Sequence, residues 1–223
     1  AQRMLVLENG YDEESFKAAP LQQADAAQVE GAKRPLMLLH SGIVYPSERD
    51  PTQLFAALGQ LQRAGTLTPD DLRIRFRASV HDDLLRTLAQ AQGAQDFIEL
   101  CPAIAYREAL AEMMAVDALL VMQASNCNAQ IPAKIYEYLR AGKPIVGLTD
   151  PDGDTAGVLR AAGLGAIARL DSAAEIAALL PAFVHDWRRG KSVLPQAQAV
   201  LQASRRGRSE SFVALLERAI LPT

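Results

Sequence analysis

From Leu36 onward, short apolar runs alternate with longer amphipathic segments, and this alternation constrains the fold more than any other property of the chain. Runs at residues 36–40, 72–78, 96–100, 118–122, 144–148 and 167–170 have the length and character of strands. Stretches at 52–64, 82–92, 107–116, 132–141, 154–162 and 173–182 have helical periodicity, as in Leu54, Leu58 and Leu61. Strands separated by whole helices pair in parallel through right-handed crossovers, with helices on both faces. The expected fold is therefore α/β: a Rossmann-like, doubly wound parallel sheet of about six strands forming a single domain. In such a sheet the ligand crevice lies beyond the carboxyl ends of the strands. That rule gathers residues 40–49, 79–82, 101–107, 123–134 and 149–154 around one site.

The stretch from Ile131 to Leu148 carries the densest local information. Pro132 suits the first position of a helix, Gly142 suits the left-handed residue that ends it, and Pro144 blocks any continuation before the strand Ile145-Val146-Gly147-Leu148. Lys134 and Glu137 are three apart near the start of that helix and share a face. A lysine in the first turn opposes the helix dipole, a mildly unfavourable placement unless an anion visits. Ser172 with Glu175 has the spacing of a capping box, and Asp150-Pro-Asp-Gly-Asp154 is more easily a turn with a helix cap than a metal loop.

Net charge of −3 gives no global basic field, so nucleic acid is not an expected partner. Two cysteines, Cys101 and Cys127, are too few for a disulfide framework or zinc motif, and thiols in a reducing cytoplasm are the expectation. His40, His81 and His185 lack metal-ligand spacing, and no metal or cofactor is expected. The flanks fall outside the alternation. Residues 4–8 are strand-like and lead through Asn9-Gly10 into an alanine-rich stretch at 18–33, so 1–34 is read as a linker-like segment, 35–187 as the domain and 188–223 as a basic segment with a closing helix at 209–220. Arg188, Arg189, Lys191, Arg205, Arg206 and Arg208 form either a solvated surface or a contact for anionic lipid, that is, peripheral contact with the inner face of the membrane.

The loop after the first expected strand, His40-Ser-Gly-Ile-Val-Tyr-Pro-Ser-Glu-Arg49, has a single glycine. It lacks the Gly-x-Gly-x-x-Gly that lets backbone approach a dinucleotide, and no Walker loop occurs. Read in order, the stretch Met4 to Phe16 with its Asn-Gly-x-Asp element, His40-Ser-Gly42 through Asp50-Pro-x-x-Leu54, and Pro132-Ala-Lys134 through Gly142-Lys-Pro-Ile145 resemble the C-terminal, nucleotide-sugar-binding half of a GT-B glycosyltransferase of the family-four retaining type.

That resemblance implies transfer of a sugar from a nucleotide-diphosphate donor to an acceptor hydroxyl with retention, without a metal. It also implies an N-terminal acceptor half that this chain lacks, and hence little transfer by the chain alone. Arg49 and Lys134, with amides around Gln130–Lys134 and the loop at Gly42, correspond to the diphosphate-binding positions, and Glu137 matches the carboxylate that takes ribose hydroxyls. The other reading of each is plain: a solvated carboxylate for Glu137, a surface lysine paired with it for Lys134, a loop-capping arginine for Arg49. His40 is either core packing or a polar contact to phosphate or sugar. The family's Glu-x7-Glu pattern places its first glutamate at 129, which is Ala129 here, with Gln130 or Asn128 nearby as hydrogen-bonding substitutes; Ile43 follows the loop glycine where many members have arginine. A non-catalytic nucleotide-sugar-binding module and a Rossmann domain for another cofactor are the alternatives.

Overall fold

A computed structural model describes residues 6–20 and 34–220. Twelve elements alternate strictly: β1 (Leu36–Ser41), α2 (Thr52–Arg63), β2 (Leu72–Arg77), α3 (Asp82–Gln92), β3 (Ile98–Cys101), α4 (Tyr106–Ala115), β4 (Ala118–Met122), α5 (Lys134–Ala141), β5 (Ile145–Leu148), α6 (Asp154–Ala161), β6 (Ile167–Ala168) and α7 (Ala173–Arg188). A short α1 (Glu13–Lys17) precedes them, and α8 (Ala197–Gln202) and α9 (Arg205–Ile220) follow. The strand order is β3-β2-β1-β4-β5-β6 and every pairing is parallel. Chain direction across the sheet reverses between β1 and β4, the topological switch point where such sheets bind ligands.

Each strand's alternation decides which core it feeds. In β2, Leu72, Ile74 and Phe76 are fully buried in the layer beneath α2, α3 and α7, joined by Phe55, Leu58, Leu85 and Ile176. Leu39, Leu119 and Val121 face the other way, into a second core with Ile135, Tyr136, Tyr138 and Leu139 of α5 and Leu110 of α4. Strand β4, between β1 and β5, is buried at every residue. The arginines of β2 fall on the second face, where an apolar helix has no use for them. Instead Glu112 of α4, itself buried, accepts from Arg77 Nε at 2.8 Å and Nη2 at 2.7 Å and from Arg75 Nη1 at 3.2 Å. Arg75 also pairs with Glu99 at 2.9 Å. These bonds orient α4, and Arg77 Nη1 further donates to Pro102 O at 2.9 Å, fixing the loop after β3.

Several boundaries differ from the sequence reading. The helix expected from Pro132 begins at Lys134, preceded by a tighter turn in which Ile135 N–H donates to Pro132 O at 3.0 Å. Helix α7 runs to Arg188, past the expected end at 182 and through Pro181, because Ile176, Leu180 and Val184 stay buried at helical spacing. The third strand starts at Ile98 after a single 3-10 turn at Gln95–Phe97, and β6 is only two residues long. The closing helix starts at Arg205 instead of 209, and α8 precedes it. Of the strand expected at 4–8, residues 6–8 are irregular and Met4 and Leu5 lie outside the described residues, as do residues 21–33 of the alanine-rich stretch.

The two flanks pack together on the domain. Tyr11 N–H donates to Ala203 O at 3.1 Å and Arg205 N–H to Tyr11 O at 2.9 Å. Glu13 takes both Arg140 Nε and Nη2, at 2.6 and 2.7 Å, and Glu8 accepts from Arg208 at 2.6 Å.

Candidate functional site

The residues singled out by sequence converge where β1 ends and α5 begins. Strand β1 delivers His40 and Ser41 to the switch point, and the chain turns away at Gly42, whose φ of +113° suits glycine alone. A Cβ there would stand 3.0 Å from Lys134 Nζ, so the missing side chain lets the lysine lie against the loop. Ser41 N–H donates to the buried Tyr138 hydroxyl at 2.8 Å, which fixes the start of the loop relative to α5. Gly142, at φ +69°, ends that helix in the left-handed conformation its position requires.

His40 is completely buried. Its Nδ1 lies 3.0 Å from Leu120 O, an acceptor only, so Nδ1 carries the proton and Nε2 presents a lone pair. Lys134 Nζ sits 3.4 Å from that Nε2. Burial, then the charge of Lys134, holds the imidazole well below its ordinary pKa, so it stays neutral. His40 thus supports Lys134 from behind instead of facing the open crevice. The ammonium is itself unusual: desolvation first and the nearby Arg49 second lower it from 10.5 to about 7, with Glu137 acting in the opposite sense.

Arg49, half-buried on the same loop, donates from Nη1 to Ile43 O at 2.7 Å and lies over the Tyr45 ring, 5.1 Å from its centroid. Among the described residues no carboxylate forms an ion pair with either Arg49 or Lys134. Two cations therefore repel each other at one spot, offset only at longer range by Glu137 and by no direct ion pair among the described residues. The amides of Ile131, Ala133 and Lys134 donate to no protein acceptor among the described residues. Gln130 is exposed; its own N–H is occupied by Cys127 O at 2.8 Å and its carbonyl accepts from the Gln123 side chain. Gln123 and Thr155, both buried and hydrogen-bonded to each other, pin this approach to α5. Ala129 is exposed. Asp150 makes an Asx turn to Asp152 N–H at 3.0 Å and accepts from Asn128 Nδ2 at 2.7 Å, while Gly153 occupies the cap position of α6.

Glu137 lies one turn along α5, and its Oε1 accepts from the Tyr106 hydroxyl at 2.7 Å. Tyr106 falls within the 101–107 stretch expected around the site and Tyr138 reads as a packing aromatic, but nothing in the sequence gives either its role; what distinguishes them is a hydroxyl partner distant in sequence. Beyond the ends of β2 and β3 lies a cavity of about 450 Å³ lined by Ser79, Val80, Asp82, Cys101, Pro102 and Ala103 among others. Val80 adopts φ +69°, an outlier for a β-branched residue, and the Ser79 hydroxyl donates to Asp82. A larger open cleft of about 1090 Å³ lies on the opposite flank of α5, where Arg208 is already paired with Glu8. The basic residues of the C-terminal segment are likewise partly neutralised, Arg188 by Asp71 and Arg206 by Glu210. Among the described residues, no helix is long and apolar enough to cross a membrane.

No family model and no curated protein sequence matches the chain. Solved structures do. Sucrose-phosphate synthase from Thermosynechococcus elongatus superposes with a TM-score of 0.69 at 14% identity, over 98% of this chain and 53% of that one. The pneumococcal O-GlcNAc transferase GtfA, solved in complex with UDP and GlcNAc, gives 0.57 at 15% identity over 92% of this chain and 38% of its own. WaaG, a glycosyltransferase involved in lipopolysaccharide biosynthesis, gives 0.58 at 13% identity over 90% and 54%. At these identities the likeness is one of fold. The chain has the Rossmann-like fold found in GT-B glycosyltransferases, and it spans about half the length of the first of these structures.

Proposed function

We propose that this chain is the donor-binding half of a retaining, family-four type glycosyltransferase that takes a nucleotide-diphosphate sugar. The observation that carries the reading is the pair of cations, Arg49 and Lys134, held beside the Gly42 loop without a carboxylate ion pair among the described residues. Unused amides at the start of α5 add to it. A diphosphate would pair directly with both cations, and developing charge on a departing nucleoside diphosphate would be stabilised by the same groups. Glu137, one turn along α5, is suited to accept a vicinal diol, which is what ribose offers. The cavity beyond β2 and β3 has room for a base. No metal is required for this chemistry, since the positive charge comes from side chains and backbone.

Transfer needs an acceptor surface and exclusion of water, and both belong to a second, N-terminal half that closes over the donor. The chain alone is therefore expected to bind nucleotide and to transfer little. The cytoplasm, with contact at the inner face of the membrane through residues such as Arg189 and Lys191, is the setting we infer for the whole enzyme. Ala129 favours a second reading, a nucleotide-sugar-binding module without catalysis, because no carboxylate stands at the position expected to touch the transferred sugar.

Calorimetric titration with UDP, GDP and NAD tests the primary reading. Binding of one nucleoside diphosphate, lost in Lys134→Gln, supports it; binding of NAD alone, or of nothing at millimolar concentration, rejects it. Joining the chain to its N-terminal half, with and without Ala129→Glu, separates the two readings by whether sugar transfer appears in either protein.

A further inference from the structure

Tyr106 is half exposed at the first position of α4, yet its hydroxyl is committed to a single partner, Glu137 Oε1 at 2.7 Å. The helix end that carries it is anchored from two directions. Glu108 accepts from Ala105 N–H at 3.1 Å, and Arg77, itself held by the buried Glu112, donates to Pro102 O at 2.9 Å. Burial and the adjacent Glu137 carboxylate raise the phenol to about 12, so it remains a donor throughout the neutral range. Each carboxylate oxygen offers two lone pairs. Tyr106 uses one on Oε1, and among the described residues no donor reaches Oε2. Enough acceptor capacity is left for two hydroxyl groups, in a carboxylate with one oxygen already held.

Resting on the reading of Glu137 as the ribose acceptor, we propose that Tyr106 is a positioning residue for ribose recognition, locking the Glu137 carboxylate in the orientation that receives the two vicinal hydroxyls. A free glutamate on a helix surface samples several rotamers, and freezing them on binding weakens the complex. The phenol removes that loss in advance. Its own hydrogen bond to the carboxylate also persists in the complex, because it occupies a lone pair the sugar does not need.

The test compares UDP and GDP with their 2′,3′-dideoxy analogues, and with pyrophosphate, on wild type, Tyr106→Phe, Glu137→Gln and the double variant. Phenylalanine keeps the ring, and thermal melting checks that the fold is retained. Wild type should prefer the ribose form, and Tyr106→Phe should shrink that preference about fivefold while leaving pyrophosphate affinity unchanged. In the Glu137→Gln background the tyrosine substitution should add nothing. A full ribose preference in Tyr106→Phe, or an equal loss of pyrophosphate affinity, overturns the proposal while leaving the donor-site reading standing. Wild type that binds a nucleoside diphosphate without preferring ribose overturns both roles, for Glu137 and for Tyr106.

Discussion

Raising the pH should weaken donor binding, and the slope is set by one residue. Lys134 has a pKa of about 7 in the free chain because its ammonium is desolvated and faces Arg49. A bound diphosphate favours the charged form and moves the lysine back toward its ordinary range. Below pH 7 the lysine is already charged, and binding takes up no proton. Above it, each donor bound requires one proton, so affinity falls tenfold per unit by linkage. Between pH 6 and 8.5 the loss is about 30-fold, or about 2 kcal/mol. His40 adds nothing to this titration, since it is fully buried and neutral across the range. A nucleotide-diphosphate sugar is the ligand to use, because each of its phosphates is substituted twice and keeps one constant negative charge across that range. Calorimetry in two buffers of different ionisation enthalpy counts the proton directly. Affinity that stays flat from pH 6 to 8.5, or a slope that survives Lys134→Gln, would show that Lys134 does not take up a proton on donor binding.

Other substitutions test the same framework. Lys134→Met should stabilise the free chain by about 1–4 kcal/mol at pH 6, because the unfolded lysine binds its proton more tightly than the folded one. The gain should shrink as pH rises from 7 toward 10, which chemical denaturation at several pH values would show. Glu112→Ala leaves the guanidinium groups of Arg75 and Arg77 without their shared carboxylate and should cost about 3 kcal/mol by the same assay. Gly42→Ala adds a Cβ 3.0 Å from Lys134 Nζ at a φ of +113°, so it should lower both stability and donor affinity, read by melting and by titration.

The fold was legible because its signals are local and repeated. Apolar runs such as 118–122 were bounded by helical stretches, and β4 occupies that span unchanged. What sequence misplaced depended on tertiary contacts. Pro181 is a poor residue for a helix interior, yet α7 continues because Leu180 and Val184 on its buried face remain against the sheet. At Pro132 the reverse happened: a favourable helix start was displaced two residues, because Ile135 N–H bonds to Pro132 O in a tighter turn instead of to Ile131 O. In the site, Gly42, Arg49, Lys134 and Glu137 could be singled out by motif order, but the support beneath them could not. The lone pair that His40 offers to Lys134 depends on Leu120, eighty residues away. Tyr106 reaches Glu137 across thirty-one residues, with no periodicity to announce it.

Where the diphosphate sits is best seen in a crystal structure with a bound nucleoside diphosphate. Phosphate oxygens should lie within hydrogen-bonding distance of Lys134 Nζ and Arg49, the ribose on Glu137, and the base beyond β2 and β3. A nucleotide seated in the cleft on the far side of α5, or phosphates that touch neither cation, would contradict this placement.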